Sequence, residues 1–229
     1  MKAKLYAYTQ PVENVKKEGM ENVQDLIAFC ARVSNPANQA NSETSEKLIR
    51  YLVKHKHWSP LEMASATIEV ETTRDIARQL LRHRSFSFQE FSQRYADPAA
   101  MGEQFVTRDA RWQDRKNRQN SVDFDMAKAF DVDISREWHA HQKRVIEVAK
   151  AAYEWAVGNG IAKEQARAVL PEGNTISRLY VNGTLRSWIH YIDLRSSNGT
   201  QKEHMELARE IGKAIAVIFP LAGEFINEA

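Results

Sequence analysis

Gln79-Leu80-Leu81-Arg82-His83-Arg84-Ser85-Phe86-Ser87-Phe88-Gln89-Glu90-Phe91-Ser92-Gln93-Arg94-Tyr95 is the densest stretch of the chain. It begins as a helical pattern, with apolar residues at Ile76, Ala77, Leu80 and Leu81, runs out. Arg82, His83 and Arg84 fall at that helix end, where cations complement the macrodipole. A basic last turn does not account for what comes next. Glu90, Ser92 and Arg94 follow two apart, so in extended backbone they share one face. Phe86 and Phe88 have the same parity as those three and Phe91 does not, which leaves a loop around a ligand and a strand equally open. Arginine offers a planar donor fork and serine a neutral donor, so the residue types suit an anionic ligand; a surface charge cluster is the alternative.

Upstream, Asp75 stands where it can cap this helix, and Ala66 to Thr72 alternates with β-branched residues as a strand does. Residues 43–56 place Leu48, Ile49, Tyr51, Leu52 and Val53 on a broad apolar face, which predicts a helix. Downstream, Thr107 to Asp125 carries Arg108, Arg111, Arg115, Lys116 and Arg118 with little apolar periodicity and reads as a polar surface excursion. Ile134 to Val157 is a long helical pattern with Trp138, Val145, Val148, Ala152 and Trp155 on its apolar side, ended by Gly158-Asn159-Gly160. A short helix over 162–170 stops at Pro171; a strand over Ile176–Val181, a helix over Leu185–Leu194 and another over 201–217 follow. Helices dominate and the few strands must pair with one another. The expected class is α+β: one helix-rich domain over residues 1–229 with a small mixed β-sheet.

Composition narrows the function. The 229 residues carry 32 basic and 30 acidic side chains, a net charge of +2, which argues against a surface built to coat nucleic acid. The single cysteine, Cys30, excludes an internal disulfide and closes the mostly apolar run Leu26-Ile27-Ala28-Phe29-Cys30, the setting of a small buried hydrophobe rather than of a nucleophile. No stretch approaches the ~20 apolar residues that span a bilayer, and the N-terminal run lacks the apolar core of a signal peptide, so a cytoplasmic location is expected.

The spacing Arg82-His83-Arg84, seven residues, Ser92, one residue, Arg94 matches without a gap the signature of the flavin-dependent thymidylate synthases. His55-Lys56-His57-Trp58-Ser59-Pro60-Leu61-Glu62 resembles the family's segment upstream of that signature. Ala166-Arg167-Ala168-Val169-Leu170-Pro171 resembles its Ala-Arg-x-x-Leu-Pro element, and Arg186 to Arg195 the helix that bears its essential late arginine. The resemblance covers about residues 27 to 210. It implies reductive methylation of dUMP to dTMP, with methylenetetrahydrofolate as carbon donor, hydride from reduced FAD and NADPH to reload the flavin, in a homotetramer with shared active sites. By the same resemblance Ser59, Glu62, Arg82, His83, Arg84, Glu90, Arg186 and His190 would meet FAD, with His57 near the ring. Gln79, Arg82, Glu90, Ser92, Gln93, Arg94, Arg167 and Arg195 would meet dUMP, Ser92 and Arg94 at its phosphate and Arg195, the catalytic residue, at the uracil. The chain departs from the family pattern at Thr184, where many members have asparagine, and at Ser197-Asn198-Gly199-Thr200, which replaces a common histidine-containing run.

Two rival readings use the same residues. His55 with His57 and His139 with His141 are pairs two apart that a metal could use on a strand but not on a helix; no cysteine completes a site, and structural histidines are the expectation, with no metal. The arginines and phenylalanines of 82–94 could instead hold phosphates and stack bases in a nucleic-acid-binding module. Bound flavin, visible as colour, separates that reading from the enzyme.

Overall fold

The computed structural model describes residues 1–16, 19–98, 102 and 104–227. Its centre is a four-stranded sheet in the order β1 (Lys2–Tyr8), β2 (Ser65–Thr73), β6 (Ile176–Thr184), β3 (Ser87–Glu90). A two-stranded ribbon of β4 (Arg111–Gln113) and β5 (Ser121–Asp123) lies apart from it. The helices are α1 (Glu13–Lys16), α2 (Val23–Ala31), α3 (Ser45–Lys54), α4 (Arg74–Leu80), α5 (Ala129–Gly158), α6 (Lys163–Ala166), α7 (Leu185–Arg195) and α8 (Lys202–Ala216), so the α+β class holds. Every strand pairing is antiparallel, where a mixed sheet was expected.

Period-2 alternation explains the sheet. Ala66, Ile68 and Val70 of β2 and Leu179 and Val181 of β6 are buried on one face against α4, α7 and α8. The other face is polar and laced across strands: Lys2 and Arg178 both pair with Glu71, the Tyr180 hydroxyl donates to Glu69 at 2.7 Å, and Asn182 donates to Thr67 at 2.8 Å. The fully buried Trp188 fastens α7 to the sheet, its indole N–H donating to the Ala66 carbonyl at 3.0 Å.

Three further sequence expectations are corrected. Asp75 does not cap α4. Thr73 occupies the N-cap position, and the Asp75 carboxylate instead accepts from the Thr73 hydroxyl and from Arg108, both at 2.6 Å. Burial opposes that charge, but these partners outweigh it and hold the carboxyl below the usual range. The stretch Thr107–Asp125 is not featureless: β4 and β5 form in it, and Trp112 stacks on Phe124 at 4.5 Å and donates to Asp131. The third correction concerns α5. The helix forms as the periodicity requires and ends at Gly158, with Gly160 at φ +80° leading the chain away. Yet Trp138, Val145, Val148 and Trp155 are exposed, Val148 at 71%, while Gln142, Ala149, Tyr153 and Ala156 face inward. A narrow stripe of small and polar residues packs on the rest of the chain, and the apolar side points out.

Candidate active site

The turn after α4 sorts the signature residues by direction. α4 ends at Leu80, and the backbone N–H groups of His83 and Phe86 donate to Leu80 and His83 carbonyls at 3.0 and 3.3 Å. In this tight turn Arg82 and Arg84 are exposed and His83 is half-buried between them. His83 meets the end of α7: the Arg195 Nε–H donates to His83 Nε2 at 3.0 Å, joining residues 112 apart in sequence. That bond requires a lone pair on Nε2, so His83 is neutral with its proton on Nδ1. Burial, Arg195 and Arg82 all push its pKa down, which agrees.

Behind this pair lies a histidine that the sequence reading passed over. His204, on α8, is fully buried, with Nδ1 3.1 Å from the Gln79 side-chain oxygen and Nε2 3.1 Å from the Tyr191 hydroxyl. Burial first, then the Arg195 charge and His83, lower its pKa to about 3, so it too is neutral. Burial raises the Tyr191 hydroxyl, which keeps its proton. Gln79 in turn donates to Gln201 at 2.8 Å and Gln201 to Glu203 at 2.9 Å, and Arg111 of β4 grips Glu203 at 2.5 Å. Nothing in the linear spacing marks His204; the helical period of α8 that puts it in line with Leu207, Ala208 and Ile211 would have put it on the core side.

The remaining candidates form three further groups. After β3, the Phe91 N–H donates to the Arg178 carbonyl at 2.9 Å and keeps the chain on the sheet edge. Glu90 accepts from Ser177 at 2.8 Å and from Arg74 at 3.4 Å, a structural setting for its carboxylate. Ser92 then starts a turn in which its hydroxyl accepts the Arg94 N–H at 3.4 Å. Arg94, half-exposed, reaches Glu164 at 3.4 Å and lies over Tyr95, while Arg167 donates to the Glu164 carbonyl at 3.3 Å. Gln93 is buried at 3% exposure with its amide nitrogen unpartnered among the described residues.

On the upstream segment, Glu62 pairs with Arg186 across 124 residues, Ser59 and His57 are exposed, and the His190 ring meets Trp58 edge-on at 4.4 Å. Burial and Arg186 lower the His190 pKa. Thr184, where the pattern departs, caps α7 by accepting the Ser187 N–H at 3.3 Å; asparagine and threonine are both N-cap residues, so this departure keeps the local job. Among the described residues no hydrogen bond or ion pair joins the Arg94 group or the Glu62–Arg186 group to the His83–Arg195 pair.

Residues 17–221 match the family model described as thymidylate synthase complementing protein. A probable flavin-dependent thymidylate synthase of Paramecium bursaria Chlorella virus 1 is 46% identical over 220 residues, 96% of each chain. The chain belongs to the flavin-dependent thymidylate synthase family. A flavin-dependent thymidylate synthase of Synechocystis is 44% identical over 220 residues, again 96% of each chain. A UMP/dUMP methylase, PolB, from Streptomyces cacaoi, solved with 5-Br dUMP, superimposes with a TM-score of 0.76 at 28% identity, over 97% of this chain and 93% of that one. Membership makes the chain an enzyme of the thymidylate synthase class, a transferase that depends on flavin.

Within the family frame, Cys30 is a test of chemistry. Burial raises the pKa of its thiol, so it lacks the thiolate character that attack on a uracil ring would need. No helix among the described residues is long and apolar enough to cross a membrane, and no three His, Cys, Asp or Glu side chains among them gather as metal ligands would.

Proposed function

We propose that this chain converts dUMP to dTMP, taking the carbon from methylenetetrahydrofolate and the hydride from FAD that NADPH has reduced. The observation that carries the proposal is the Arg195–His83 hydrogen bond, which brings the signature turn and the late arginine together. PolB, of the same fold, was solved with a brominated dUMP, which supports placing a deoxyuridine nucleotide here.

In this reading Arg195 is the catalytic residue. Among the described residues its guanidinium spends only Nε, on His83, and its terminal N–H groups are those offered to the uracil. A fixed cation beside the ring lowers the cost of negative charge as it develops there. Neutral His83 is what this needs, since an imidazolium has no lone pair on Nε2 with which to hold the Arg195 Nε–H. Ser92 and Arg94 hold the nucleotide phosphate, with Arg167 beside them. The Arg94–Glu164 pair, exposed and 3.4 Å long, is weak enough for a phosphate to displace. Gln79 contacts the nucleotide as well. Glu90 acts through Arg74 and Ser177, and Gln93 brings its buried amide N–H, unpartnered among the described residues, to the nucleotide.

The donor set also fits a dinucleotide flavin. Arg82 and Arg84 are exposed cations without a carboxylate partner among the described residues, as a pyrophosphate requires, and Ser59, Glu62, Arg186 and His190 are the upstream contacts in this reading. When bound, FAD supplies the hydride. A homotetramer with shared sites is supported by two features: among the described residues the candidate groups are not linked to one another, and α5 turns Trp138, Val145, Val148 and Trp155 to the outside. A cytoplasmic location agrees with that chemistry.

The experiment is dTMP formation by the purified protein, with FAD, NADPH, methylenetetrahydrofolate or dUMP omitted in turn. dTMP is expected only with all four. Product without flavin, or a colourless protein that binds nucleic acid instead, would overturn the proposal.

A further inference from the structure

The hydrogen bonds that run from Tyr191 to Arg111 have one self-consistent direction. The Glu203 carboxylate can only accept, and Arg111 holds one of its oxygens at 2.5 Å. Gln201 therefore turns its N–H₂ to the other oxygen, 2.9 Å away, which leaves its own carbonyl oxygen to accept from Gln79 at 2.8 Å. Gln79 is left with its oxygen towards His204. A carbonyl oxygen cannot donate, so His204 Nδ1 carries the proton across that 3.1 Å contact, and Nε2 accepts from the Tyr191 hydroxyl. Every link follows from the one before it, and the anchor is a carboxylate 7% exposed beside a fully buried ring.

A glutamine amide has two ends of nearly equal shape, and packing alone does not choose between them. Chemistry does. We propose that His204, Gln201 and Glu203 are positioning residues that hold the Gln79 amide in a single orientation and thereby set the hydrogen-bond pattern it offers to the nucleotide. Gln79 Oε1 keeps a second lone pair and Nε2 a second proton after its bonds within the chain are made, so each end has one site left for dUMP. Reversing the amide would exchange the two and set donor against donor. The inference rests on the reading above that Gln79 touches dUMP. It gives a role to the ribbon β4–β5, since Arg111 fixes the far end of the chain of bonds.

Steady-state kinetics of the FAD-loaded enzyme test it through Glu203→Gln, Gln79→Ala, the two combined, His204→Leu and His204→Asn. Glutamine at 203 can donate or accept, so the direction is no longer imposed. Glu203→Gln and His204→Leu should each raise KM for dUMP about tenfold, the scale of one hydrogen bond, with kcat changed much less. Asparagine at 204 keeps a donor near the position of Nδ1 and should recover most of that loss. In the Gln79→Ala background, Glu203→Gln should add nothing, because no amide remains to be oriented. If Gln79→Ala raises KM but Glu203→Gln multiplies it further, or His204→Asn is as poor as His204→Leu at equal flavin content and thermal stability, the positioning role is overturned. If Gln79→Ala leaves KM for dUMP at the parent value, the contact itself is wrong and the positioning role falls with it.

Discussion

Replacing Gly183 by alanine adds one methyl group at the point where β6 passes the signature turn. An ideal Cβ there would lie 2.2 Å from Phe86 Cδ1 and 2.5 Å from Cε1. Carbon atoms in contact sit at about 3.5–4.0 Å, so the ring must retreat by more than an ångström. It has little room, because Trp188 stands on it at 4.4 Å between centroids, with Tyr191 at 5.9 Å and Phe88 at 6.2 Å. Overpacking of this kind costs roughly 1–3 kcal/mol, and at about 2 kcal/mol a chain of this size loses roughly 4–8 °C in Tm. Without the clash the sign would be opposite, since glycine to alanine at an unstrained site stabilises by about 0.4–1 kcal/mol through the unfolded state. Phe86 is bonded through its N–H to His83, so the displaced ring should also disturb the His83–Arg195 bond and lower dTMP formation well below Tm. Thermal unfolding and the dTMP assay read both effects. Phe86→Leu in the same chain should relieve the clash, making the double variant less impaired than the two single losses combined. A Gly183→Ala protein as stable as its parent or more so, or losses that add fully in the double variant, would refute this account of the packing.

Other expectations follow from single residues. Arg195→Ala and Arg94→Ala should abolish most dUMP methylation, about a hundredfold or more for Arg195 if it stabilises developing charge, while circular dichroism shows the fold intact; parent-rate turnover by both would remove their assigned roles. His204 has its pKa held near 3 instead of 6.5, so the stability it confers is complete above about pH 6.5 and is lost as the pH falls towards 3. By pH 5 the loss is about 2 kcal/mol per chain, and unfolding measured against pH should be flatter between those limits in His204→Asn. Val148→Glu places a charge in the exposed apolar face of α5 and should give a smaller particle by light scattering, with activity lost; an unchanged particle would place the subunit contact elsewhere.

The parts of the fold that rest on local pattern were legible from the sequence. The alternation at 66–72, the periodicity of α5 and the stop at Gly160 each depend on neighbours a few residues away, and each element formed over those residues, α5 also taking in the residues from Ala129 on. What the pattern could not supply was the partner of each face. α5 is apolar on the side of Trp138 and Trp155, and only the packed chain shows that this side is left outward. Asp75 has the type of a cap, yet α4 starts at Arg74 with Thr73 at the N-cap position, so Asp75 lies inside the first turn, where its carboxylate pairs with Arg108, 33 residues on. The candidate site divides in the same way. Fixed spacing carried Arg82 to Arg94, while the meeting of His83 with Arg195 is a tertiary fact. His204, Gln201 and Glu203 form a site only because α8 crosses behind α4 and α7, and no spacing within one segment encodes that crossing.

If one nucleotide site joins the signature turn to Arg195, the structure of the FAD-loaded protein with dUMP bound will show it. The phosphate should lie within hydrogen-bond distance of Ser92 and Arg94, and the uracil should meet the free N–H groups of Arg195 while its Nε stays on His83. A dUMP molecule bound away from Arg195, for instance in the aromatic cavity beside Trp112 and Trp138, with His83 and Arg195 untouched, would contradict the account.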